Sequence, residues 1–144
     1  MNAGMHIKQK ISAPWFRAVC AVVWGLLIMG ASFLPQGHSA AQTFTLGGRD
    51  ALAHMVAYGV LTVLLLWAFA AYSRGMRMAC GLLLPLALGG LVELVQPLAG
   101  RSTGFGDMMA NAAGVLGGFA LTVLWLDIRR KRDDASAGQG ETSD

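Results

Sequence analysis

Four apolar blocks, each close to twenty residues long, leave this chain few ways to fold. They run 15–34, 50–72, 78–96 and 107–126 of 144 residues. A helix needs ~20 residues to cross a ~30 Å hydrocarbon core. Inside lipid the backbone groups must pair within their own segment, and at this length that means α-helix. The blocks predict an all-α membrane protein, a compact bundle of four transmembrane helices. Composition agrees: 55% of residues are hydrophobic and 13% charged, where a soluble domain carries roughly 25% charge. A chain this short has no room for a separate catalytic domain. The short connections after the second and third blocks predict antiparallel neighbours.

Charge sets the orientation. Lys8, Lys10 and Arg17 precede or open the first block, Arg74 and Arg77 join the second and third, and Arg129, Arg130, Lys131 and Arg132 follow the fourth. Those nine share one side; only Arg49 and Arg101 fall on the other. Basic residues collect in the cytoplasm, so both termini are expected there, in a multi-pass protein of the bacterial cytoplasmic (inner) membrane. Residues 1–14 form the inner flank, and 35–49 and 97–106 the outer loops. The net charge of +3 lies in these flanks, with no basic face or interleaved aromatics. That excludes nucleic acid as a partner.

Ser39-Ala40-Ala41 resembles a signal-peptidase site, but the block before it exceeds the usual ~7–15-residue core. It is read as a retained span. Its removal would leave three spans in the same orientation. Cys20 and Cys80 lie near the cytoplasmic ends and are expected to stay reduced. Pro85 is expected to kink the third span or free a carbonyl. The polar stretch 127–144 is expected to be disordered.

Polar residues concentrate at the outer ends of spans two to four. Asp50, His54 and Tyr58 are spaced i, i+4, i+8, so they share one face and descend ~6 Å per step. Asp50 alone would also serve as an N-cap. Glu93 and Gln96, at i and i+3, end the third span beside each other. Gly89 and Gly90 before them permit close backbone approach. Glu93 needs a partner, with Arg101 the first candidate and His54 the second; a purely structural ion pair would satisfy it too. Arg101 is the only charge in the glycine-rich connection 98–106, and its planar fork suits phosphate or carboxylate. It would equally suit a snorkelling interface position. Asp107, Asn111, Gly114 and Gly118 form one stripe on the fourth span. Asp107 suits an N-cap, and Asn111 can pair with Glu93 or His54. Ionisable groups at membrane depth are costly and usually functional. No comparable cluster marks the inner ends.

The order Asp50-x3-His54-x3-Tyr58, Glu93-x2-Gln96, Arg101, Asp107-x3-Asn111-x2-Gly114-x3-Gly118 resembles the VanZ-like family over residues 46–126. The likeness implies a small bacterial membrane protein of a few helices. The family's namesake is linked to lowered sensitivity to the glycopeptide teicoplanin. Residues 102–106 depart from the pattern by being glycine-rich.

Three functions compete. In the first, an outer-leaflet pocket of Asp50, His54, Tyr58, Glu93, Gln96, Arg101, Asp107 and Asn111 binds an anionic envelope lipid or a lipid-linked cell-wall intermediate. Arg101 holds the phosphate, and no cofactor is expected. In the second, a membrane-embedded hydrolase or transferase works on lipid head groups, with His54, Asp50 and Glu93 as candidate acid/base residues. Its metal-dependent version would use Asp50, His54, Glu93 and Asp107 as ligands. In the third, the cluster only holds the helices in register for an assembly partner. Transport is disfavoured because the polar groups stop before the inner side, although a homo-oligomer would provide another path.

Overall fold

The computed structural model describes residues 14–33, 49–100 and 105–140. Four helices account for nearly all of them: α1 (Pro14–Ser32), α2 (Arg49–Ala68), α3 (Arg74–Val95) and α4 (Phe105–Gly140). Each is long and apolar enough to cross a membrane. No strand occurs among the described residues.

Paired contacts fix the topology. Trp24 Nε1 donates to the Ala57 carbonyl at 2.9 Å, while Arg17 stacks over the Trp67 ring at 5.1 Å. The chain therefore descends in α1 as it rises in α2. Gly81 backs onto Leu66 and Gly89 onto Tyr58, so α3 is antiparallel to α2. Gly114 faces Met55 and Gly118 faces Gly59, so α4 runs parallel to α2. The result is an up-down-up-down bundle. Replacing Trp24 by Phe keeps an aromatic side chain, though a smaller one, and removes one interhelical bond. It should cost about 0.6–1 kcal/mol, read as a small drop in the melting temperature in detergent.

Small residues line the closest helix crossings, while many large apolar ones face outward. Gly81, Pro85 and Gly89 of α3 are buried, and Gly114 and Gly118 of α4 are too. Leu26, Leu83, Leu91, Leu98, Leu116 and Leu121 all point outward. In water that surface would drive aggregation. In lipid it is the expected arrangement, because tails offer leucine as good an environment as a core does. The tightest joint is α2 with α4, where a Cβ at Gly114 or Gly118 would collide with the Met55 or Gly59 carbonyl. Tyr58, Leu61, Ile28 and Val115 form the packed centre.

Several expected boundaries move. The first helix ends at Ser32 rather than 34. The second stops being α-helical at Ala68, and Phe69–Ala71 form a 3-10 turn. The third starts at Arg74, four residues early, because Ser73 caps it by accepting from the Met76 N–H at 3.4 Å. Pro85 lies inside α3, which runs on to Val95 with the ring fully buried. The expected disorder of 127–144 is corrected for 127–140, where α4 stays helical to Gly140; residues 141–144 lie outside the described residues. Local contacts support this extension. Lys131 pairs with Asp127 at 2.8 Å, Arg129 stacks on Trp125 at 4.6 Å, and Ser136 Oγ donates to the Arg132 carbonyl at 2.7 Å. At ~1.5 Å per residue α4 is about 54 Å long, well beyond a ~30 Å core. Cys20 and Cys80 are both free thiols. Ser39, Ala40 and Ala41 lie outside the described residues.

Candidate functional site

The topology brings the start of α2, the end of α3 and the start of α4 to one end of the bundle. Five of the eight expected site residues converge there with described side chains. His54 and Tyr58 come from α2, Asn111 from α4, Glu93 from α3, and Gln96 from the 3-10 turn Gln96–Ala99 that follows α3. Pro97 opens that turn and Gly100 closes it in the left-handed region, at φ 72°. Gln96 is held at the joint between helix and turn, and it is 1% exposed.

Geometry defines the individual roles. Asn111, 3% exposed, turns its carbonyl oxygen to His54 Nδ1 at 2.9 Å. A carbonyl only accepts, so Nδ1 carries the proton, and in the neutral ring Nε2 is the acceptor. Of the two partners expected for Asn111, His54 takes its carbonyl. Asn111 Nδ2 then lies close to Gly89 of α3. Tyr58 is fully buried beside the same glycine. Glu93, also buried, is near enough to act on Tyr58 electrostatically. Gly89 is therefore required at the crossing: a side chain there would press on both Tyr58 and Asn111.

Several buried polar atoms in this region make no hydrogen bond among the described residues. They are Tyr58 Oη, Thr62 Oγ1, both amide atoms of Gln96, and Asn111 Nδ2. Such atoms are rare in folded proteins, and each costs roughly 1–3 kcal/mol. Their grouping is the chemical signature of the site. Leu66, 1% exposed and seated against Gly81, closes the column below Thr62. Along α2 the polar column reaches Thr62 and gives way to the apolar residues 63–68.

Asp107 is half-buried and lies in the first turn of α4. The expectation of an N-cap is corrected, because α4 starts at Phe105 and Asp107 sits inside the helix. A carboxylate there still complements the helix dipole. Asp50 follows the first residue of α2, so it too lies in the first turn rather than at the cap; its side chain is outside the described part. Arg101 lies outside the described residues, directly after Gly100. No group of three or more His, Cys, Asp or Glu that could hold a metal occurs among the described residues.

Sequence reasoning missed Thr62. It extends the i, i+4 ladder of Asp50, His54 and Tyr58 by one more step, so the signal was in the spacing. A threonine in an apolar run is easily passed over because it can bond its own helix. Thr122 does so at 2.8 Å; Thr62 does not.

Fold and cluster together define a class: a four-helix chain built to cross a membrane, with a buried polar site at one end of the bundle. Comparison goes no further, since no protein-family model, curated protein or solved structure matches the chain.

Proposed function

We propose that this is a VanZ-like protein of the bacterial cytoplasmic membrane whose polar cluster is an outer-leaflet pocket for an anionic envelope lipid or a lipid-linked cell-wall intermediate. The observation that carries this reading is the set of buried, unsatisfied polar atoms on Tyr58, Gln96 and Asn111, contributed by three segments at one end of the bundle. A purely structural network would be expected to satisfy itself. The resemblance over residues 46–126 supports the same assignment.

The basic flanks support a reading with both termini in the cytoplasm and the cluster facing outward. Arg101 then supplies the phosphate contact, and Gln96, Asn111 and Asp107 orient neighbouring hydroxyls. Occupancy of such a site would alter how lipophilic glycopeptides approach the membrane surface, in keeping with the lowered teicoplanin sensitivity linked to the family's namesake. One observation favours a second reading. The Asn111 carbonyl orients the His54 ring through Nδ1, and an oriented imidazole is the group that acid/base chemistry on lipid head groups by a hydrolase or transferase would use.

Lipid extraction tests the binding reading. Wild-type protein purified in mild detergent should carry about one phosphorylated lipid per chain, and Asn111→Leu should carry at least ~10-fold less while remaining folded. Equal lipid on both proteins would reject the pocket.

A further inference from the structure

The pocket reading leaves two ligand chemistries open, and the depth of the unsatisfied donors separates them. Tyr58 and Asn111 meet at Gly89. A Cβ at Gly89 would stand 3.2 Å from Tyr58 Cε1, 3.4 Å from Asn111 Nδ2 and 3.5 Å from Tyr58 Cζ. The bare α3 backbone thus packs directly against two buried donor groups, neither of which bonds to anything among the described residues. Thr62 adds a third donor, a second hydroxyl, one turn, ~6 Å, further in. Its state is unusual in this molecule. Ser32 and Thr122 donate to the carbonyl four residues back at 2.8 Å, and Ser136 does so at 2.7 Å, whereas Thr62 has no such bond.

These groups lie well below the helix ends. Asn111 is six residues into α4 and Tyr58 nine residues into α2, or about 9 and 13 Å at ~1.5 Å per residue. Asn111 Nδ2 can only donate, and the hydroxyls donate readily. Their complement is an acceptor oxygen. At that depth in hydrocarbon a neutral acceptor costs far less to bury than an anion. With a phosphate at the mouth, the atoms one step inward differ between lipid classes. A glycerophospholipid presents its two acyl ester carbonyls. An isoprenoid phosphate presents hydrocarbon at once and would leave every donor unsatisfied.

Resting on the pocket reading above, we propose that the ligand is an ester-linked glycerophospholipid whose acyl carbonyl oxygens accept from Asn111 Nδ2 and Tyr58 Oη. A second feature supports it. An apolar groove of about 340 Å³ runs between α1, α2 and α3. It begins at Leu61, one turn below Tyr58, and at Leu88, beside Gly89, and continues past Leu65 to Phe69. An acyl chain leaving the carbonyls has a seat at that level.

The test is competition on the purified full chain in detergent, read by native mass spectrometry. The probes are dioleoyl phosphatidylglycerol, its diether analogue with the same head group and chains, and undecaprenyl phosphate, in equal amounts. The ester lipid should be retained about 10-fold over the diether, equivalent to ~1.4 kcal/mol. Tyr58→Phe, which loses only the hydroxyl, should bring that ratio towards one. The wild-type ratio decides the question even where the variant fails to fold. Equal retention of ester and diether, or preference for undecaprenyl phosphate, overturns the ester assignment and leaves the pocket as a lipid site. Retention of none of the three overturns both.

Discussion

Gly114→Leu should abolish recovery of folded protein, and Gly114→Ala should already destabilise it by ~3 kcal/mol or more. The reason is the joint between α2 and α4. A Cβ at Gly114 falls on the Met55 carbonyl, and one at Gly118 falls on the Gly59 carbonyl. The obstacle is backbone and not the tip of a flexible side chain. Relief requires the helices to separate, which also opens Tyr58, Val115 and the His54–Asn111 bond. Overpacking of side chains alone typically costs 1–3 kcal/mol; a backbone collision belongs at or above the top of that range. Gly117 provides the control. It faces outward with nothing within 4 Å of its Cβ position, so Gly117→Ala should be neutral or gain up to ~1 kcal/mol from helix propensity. Melting in detergent, with size-exclusion profiles, reads the difference. Similar melting of the two alanine variants would mean that α2 and α4 are not joined in this way.

Gln96→Leu should stabilise the protein while emptying it. Gln96 is 1% exposed and neither polar atom of its amide has a partner. A buried amide without partners costs roughly 1–3 kcal/mol, and an apolar side chain of similar size removes that cost. Ligand-free protein should therefore melt higher as the leucine variant, by about the same free energy. Lipid retention should fall in the same variant, because the amide would be a ligand contact. This opposition is what separates a site from a scaffold. If the cluster merely held helices in register, losing one member would lower stability. A lower melting temperature for lipid-stripped Gln96→Leu would therefore favour the scaffold.

Much of this arrangement is legible in the residues because membrane helices obey few rules. Block length alone placed the four spans, and their ends shifted only where local chemistry intervened, as at Ser73, which caps α3 earlier than hydropathy suggests. The His54–Asn111 bond was within reach because both residues stand on i, i+4 stripes at the same end of parallel helices. The helical tail was not foreseen. Its composition is polar, and its order arises from the continuation of α4 and short-range pairs such as Asp127–Lys131. The close contact of Gly114 with Met55 was visible only as a small-residue stripe, since spacing says which face is small but not which partner fills it. Thr62 was overlooked for a different reason. Whether a threonine satisfies itself on its own helix depends on its rotamer, which the spacing of residues does not determine, and Thr62 does not.

The central claim is that the polar end of the bundle holds a phosphorylated lipid. Native mass spectrometry of gently extracted wild-type protein beside Arg101→Gln tests it most directly. The account predicts one defined phosphorylated lipid mass on the wild type, lost from a variant that remains folded. The same adducts on both proteins, or no specific adduct on the wild type, would contradict it.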